Sequence, residues 1–155
     1  MQGNQMTRRA FWIAAVAFAV TAPFARAEEP AKNAPGLDGT WKVVALKAEG
    51  DEAPAEAFRT WRWEIMGKKI VISAADEDPM EMMAVFDSSK TPPTIDMTAL
   101  TGPAKDKKAH GIYELKAATL RICLGGLDAA EADRPTAFDG GQGKALITLE
   151  RIKKP

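Results

Sequence analysis

Two tryptophans two residues apart, Trp61 and Trp63, share one face of a short alternating segment with Ile65, while Arg62 and Glu64 take the other face. Period two marks a half-buried strand. Aromatic side chains along the wall of a pocket stack on apolar or ring-shaped ligands, and Tyr113 is placed to face the pair across a closed sheet. The same three residues also suit the ordinary filling of a barrel interior. A second group is Met80-x-Met82-Met83. Soft thioethers suit Cu(I), but a strand puts Met80 and Met82 on one face and Met83 on the other. Neither His nor Cys lies nearby in sequence, and methionine commonly fills gaps in cores, so no metal is assigned and Met80 and Met82 remain only a speculative pair.

Other candidates are weaker. Asp76-Glu77-Asp78-Pro79-x-Glu81 offers oxygen ligands, yet its spacing is not that of an EF-hand loop; it reads as a solvated acidic loop. Cys123 and His110 are the single cysteine and the single histidine. They fall on neighbouring segments of a hairpin, so geometry allows them to meet, but the sequence supplies neither an orienting third group nor an oxyanion hole. A lone cysteine within an apolar strand reads as a small buried hydrophobe. Gly140-Gly141-Gln142-Gly143 precedes a strand, whereas phosphate-binding loops open a helix. No catalytic residue and no cofactor are assigned, and the expectation is a non-enzyme.

The elements that must position these residues are short strands. Trp41–Leu46, Thr60–Met66, Lys69–Ser73, Glu81–Phe86, Thr94–Thr98, Gly111–Leu115, Thr119–Leu124 and Lys144–Ile152 are β-branched, aromatic or alternating, and turn residues separate them. Gly67-Lys68 and Lys116-Ala117-Ala118 close two hairpins. The one helix is a turn and a half at Pro54–Arg59, with proline near its start, where a missing N–H does no harm. The expected fold is all-β: a single eight-stranded antiparallel barrel, whose closure removes the edges that would otherwise aggregate.

The N-terminal 27 residues read as a cleavable secretory signal: Arg8 and Arg9, an apolar run from Ala10 to Thr21, then Ala25-Arg26-Ala27 before a cut at Glu28. The run is too short to span a membrane. Thr7-Arg8-Arg9-Ala10-Phe11 resembles a twin-arginine signal, and the ordinary secretory route stays open. Residues 28–36 form a polar, proline-containing leader, and 37–155 form the domain. Location is exported, periplasmic or extracellular. Cleavage removes three arginines from 21 basic residues and leaves 18 against 21 acidic ones. A weakly acidic domain without a basic stripe excludes nucleic acid as a natural partner. It also lacks the polybasic cluster that would hold it on anionic lipid, so no stable membrane insertion is expected after cleavage. With one cysteine the chain forms no internal disulfide.

Leu37-Asp38-Gly39-Thr40-Trp41-Lys42-Val43 resembles the opening of lipocalin-like barrels. With Gly50–Pro54, Pro93–Met97, Gly111–Leu115, Thr119–Cys123 and Arg134–Phe138 in the same order, the chain resembles a family of small exported domains of unknown function, known chiefly from planctomycete bacteria and regarded as lipocalin-like. The resemblance spans Leu37 to Ile152 and assigns no catalytic residues. It implies that Gly39 and Trp41 form the closed end of the barrel, with a basic side chain of the last strand over the indole. Arg151 is the candidate partner and Arg134 the alternative. The Asp76–Met83 stretch is more acidic and richer in methionine than the family pattern. The functional expectation is a non-catalytic binder of a small apolar or amphipathic ligand, held in the barrel mouth by Trp61, Trp63 and Tyr113. The alternatives are a structural or protein-interaction domain with a filled barrel and an unknown protein partner, or copper handling through the methionines.

Overall fold

A computed structural model describes residues 36–153 of the 155-residue chain. The expected signal peptide at 1–27 and all but the last residue of the leader at 28–36 lie outside the described residues.

The chain folds as β1 (Gly39–Ala48), β2 (Asp51–Glu52), a short helix α1 (Ala55–Phe58), β3 (Arg62–Met66), β4 (Lys69–Ala74), β5 (Glu77–Asp87), β6 (Thr94–Ala99), β7 (Lys108–Lys116), β8 (Thr119–Leu124) and β9 (Ala145–Arg151). From β3 to β9 each strand pairs antiparallel with the next, and β1 pairs with both β3 and β9. Eight strands thereby close into an antiparallel barrel, as the sequence pattern predicts. The two-residue β2 stays outside and pairs only with the end of β1.

Alternation decides which residues fill the barrel. In β3, Trp63 and Ile65 are buried while Glu64 and Met66 are exposed. Trp41, Ile65, Ile70, Ile95, Leu120 and Leu149, from six strands, are fully buried together. The β1–β3 ladder ends at Lys42–Arg62, beyond which one longer bond runs from Val43 N–H to the Trp61 carbonyl at 3.4 Å. α1 packs against β1 and contributes Phe58 to the core. Pro54 at its cap and the helix itself lie within the predicted Pro54–Arg59 span.

β5 departs from the sequence expectation. It starts at Glu77 rather than Glu81, so most of the expected acidic loop is strand. Proline within a strand is tolerated at a bulge, where no ladder hydrogen bond is required. The register shows one: Ile72 pairs with Met80, but Ala74 pairs with Glu77, leaving one extra residue on β5. A hydrophobic pattern alone gives no sign of this, because the bulge depends on how β4 and β5 are paired. Among the described residues no helix is long and apolar enough to cross a membrane.

Candidate functional site

The closed end is built around Trp41. Its indole is fully buried and its Nε1 donates to the Leu37 carbonyl at 3.0 Å. Trp41 pairs with Arg151 across β1 and β9, and the Arg151 guanidinium carbon lies 4.2 Å from the ring centroid. Arg151 also donates to the carbonyls of Asp38, at 2.8 Å, and Gly36. Gly39 makes room for this cation. Its φ is +141, a conformation that side chains rarely adopt, and a Cβ there would collide with Arg151 Nη1. Glycine, tryptophan and arginine thus form one plug: the glycine clears the space, the indole covers the base, and the cation ties the entering chain to the last strand.

Above the plug lies a cavity of about 760 Å³. Trp63, paired with Trp41 across β1 and β3, lines it, and Trp61 lines it two residues nearer the mouth. Met82, Met97, Ala109 and Ile147 add apolar wall from four strands. Leu127, 57% exposed, stands among the residues of the mouth. Two carboxylates line the cavity: Asp78, which with Pro79 opposes the single residue Ser73 at the β5 bulge, and Glu77, which pairs with Ala74 just beyond it. Pro79 and Ala74 line the cavity as well. Among the described residues no basic side chain lines the cavity. Volume and character fall within the range of small-molecule sites.

Comparison with protein-family models, with curated proteins and with solved structures finds no match to this chain.

Tyr113 corrects the sequence expectation. It is buried on the inner face of β7 but does not line the cavity. Ala109 does; Tyr113 lies four residues further along the strand, roughly 13 Å deeper toward the closed end. There its ring meets Phe86 edge-on, with centroids 5.2 Å apart. Burial, with the nearby Asp87 charge, pushes the Tyr113 hydroxyl above its ordinary pKa. Among the described residues two buried side-chain polar atoms have no hydrogen-bond partner, Tyr113 Oη and Trp63 Nε1. Trp63 is 2% exposed and its Nε1 is sealed from solvent, so the orphan N–H lies in packed core rather than on the open surface of the cavity.

Arg134 is not the partner of Trp41. It reaches from the loop after β8 to the outer barrel face, where Nη1 donates to the Gly111 carbonyl at 2.8 Å and Nη2 to Asp96 Oδ1 at 2.7 Å. His110 Nδ1 lies 2.6 Å from the same Asp96 oxygen. Burial alone would raise the Asp96 carboxyl, but the hydrogen bonds from His110 and Arg134 outweigh it and hold the group below its ordinary value. This trio was not legible in the sequence: Arg134 stood there only as an alternative partner of Trp41, and Asp96 carried no signal of its own. Its role is visible: Arg134 pins the β8–β9 connection, whose Pro135 is buried, against β6 and β7.

Cys123 does not join His110. It is fully buried opposite Ile112, and burial pushes its thiol above its ordinary pKa. His110 is instead one residue beyond the Gly111–Leu124 pair, its carbonyl accepting from Gly125 N–H at 2.8 Å. The methionines divide as alternation demands: Met80 and Met82 face the cavity, and Met66 and Met83 are each 47% exposed. Met97 of β6 joins the first two on the cavity wall, a convergence that spacing along one strand does not reveal. Among the described residues no group of three or more His, Cys, Asp or Glu is arranged to hold a metal.

Proposed function

We propose that this domain is a non-catalytic carrier or sensor that encloses a small, mainly apolar molecule in the barrel. The cavity of about 760 Å³ carries the reading. A side-chain-filled barrel, the structural alternative, has no use for so large an apolar space, since cores are otherwise packed to crystal-like density. Three thioethers on the wall add adaptable apolar surface of the kind used at permissive binding sites. The export expectation rests on the N-terminal residues and places the domain outside the cytoplasm.

The test is titration of the domain with decanol, followed by Trp61 and Trp63 emission and by native mass spectrometry. Saturable binding of one molecule is expected, and Ala109→Phe, which fills the cavity, abolishes it. Absence of binding by decanol and by any co-purifying molecule refutes the reading.

A second reading has its own observation. Met80, Met82 and Met97 line one cavity, and thioethers hold Cu(I). Competition for Cu(I) against a colorimetric chelator tests it. Retention of one copper ion, lost in Met82→Leu/Met97→Leu, is the expected result under this reading. It ranks second because the cavity is many times larger than an ion.

A further inference from the structure

The enclosed-ligand reading leaves the ligand's polar end undefined, and the mouth of the cavity defines it. We infer that the ligand carries a cationic head group on its apolar body, an amine or quaternary ammonium, held at the mouth between Glu77, Asp78 and the indole face of Trp61. This inference rests on the enclosed-ligand reading of the same cavity and adds the chemistry of its ligand.

Three observations converge. First, the charge at the mouth is of one sign: both titratable side chains lining the cavity are carboxylates, and among the described residues no Lys, Arg or His lines it. The loop after β6 and the start of β7 carry Lys105, Lys107 and Lys108, but none of them lines the cavity, and Lys107 is paired with Asp128 at 2.8 Å. Second, the carboxylates are brought to the mouth by a specific irregularity. A regular β5 would place Glu77 and Asp78 on opposite faces. The extra residue in the register between Ile72–Met80 and Ala74–Glu77 breaks that alternation, and Glu77 and Asp78 both line the cavity. Third, the neighbouring wall is aromatic. Trp61, half-buried, lines the mouth, and an indole face attracts cations and repels anions.

An anionic head group would meet two carboxylates and the negative faces of the rings. A neutral one would gain neither charge pairing nor cation–π attraction. Exposed ion pairs contribute modestly and so do exposed cation–π contacts. Their sum predicts a preference of roughly fivefold to tenfold for a cation over a neutral head group on the same chain, falling as salt screens the mouth.

The experiment compares three probes with one tail, decyltrimethylammonium, decanol and decanoate, each below its micelle-forming concentration. Dissociation constants are read from tryptophan emission at low and at high salt. The expected order is cation tightest and anion weakest, with the cation's advantage shrinking in salt. Glu77→Gln/Asp78→Asn, at exposed positions and checked for fold by circular dichroism, brings the cation to the affinity of decanol and leaves decanol unchanged. Equal binding of decanol and the cation, or tighter binding of decanoate, overturns the cationic head group and leaves the enclosed-ligand reading standing. Failure of all three probes overturns both.

Discussion

Substituting Gly39 by alanine tests the closed end of the barrel most directly. Two costs arise. The backbone at Gly39 has φ +141, and holding a side-chain-bearing residue in so sparsely populated a region costs on the order of 1–3 kcal/mol. The new Cβ would also occupy the space of Arg151 Nη1. The guanidinium must move off Trp41 and release the carbonyls of Asp38 and Gly36. A hydrogen bond from a charged donor contributes about 1.5–3 kcal/mol, and a partly exposed cation–π contact about 0.5–2 kcal/mol. Arg151 keeps some solvent, which favours the low end of each range. With both hydrogen bonds lost, the low ends sum to about 4–5 kcal/mol.

Guanidinium unfolding followed by tryptophan emission measures this loss. A cycle with Arg151→Ala separates the causes. In the Arg151→Ala background the collision is gone, so Gly39→Ala then retains only its backbone cost, about 1–2 kcal/mol. The cycle should therefore show a coupling of about 3 kcal/mol between the two positions. Strict additivity, or a Gly39→Ala loss below about 1 kcal/mol, would refute the account of the glycine as the residue that clears space for the arginine.

Arg134→Ala should destabilise by about 2–3 kcal/mol, because the Gly111 carbonyl loses its charged donor and Asp96 its cation; chemical denaturation checks this. The folded-state pKa of Asp96 is lowered, so its ionised form contributes stability that is complete above the unfolded carboxylate value and lost as pH falls through the lower folded one. In Asp96→Asn, stability should accordingly fall less steeply with pH below about 4 than in the parent, and an unchanged slope would count against the trio. Tyr113→Phe removes a buried hydroxyl without a partner and should leave stability unchanged or raise it by up to about 1 kcal/mol; a loss above that range in thermal unfolding would mean the hydroxyl is satisfied. Cys123 should react with Ellman's reagent only as fast as the barrel opens, and rapid labelling under native conditions would contradict its burial.

The strands were legible in the sequence because alternation is local: Trp63 and Ile65 against Glu64 and Met66 need no partner strand to declare which face is apolar. The count of eight barrel strands, the helix after Pro54 and the inward direction of Trp61 and Trp63 follow from such short-range patterns. The Gly39, Trp41 and Arg151 plug was implied by the resemblance of the opening segment to lipocalin-like barrels, not by any local pattern. What the sequence could not decide depends on residues far apart in the chain. Whether the barrel is filled or hollow is set by the summed volumes of side chains that meet only after closure. The three methionines converge across two strands, and Tyr113 falls below the cavity because depth along β7 is fixed by register. Asp96 meets His110 and Arg134 from 14 and 38 residues away, a distance over which no pattern operates. The two carboxylates reach the mouth through one extra residue in β5, and a bulge exists only in the pairing of two strands. Local periodicity specified the elements of this protein; closure of the sheet and its register created the cavity and its charged rim.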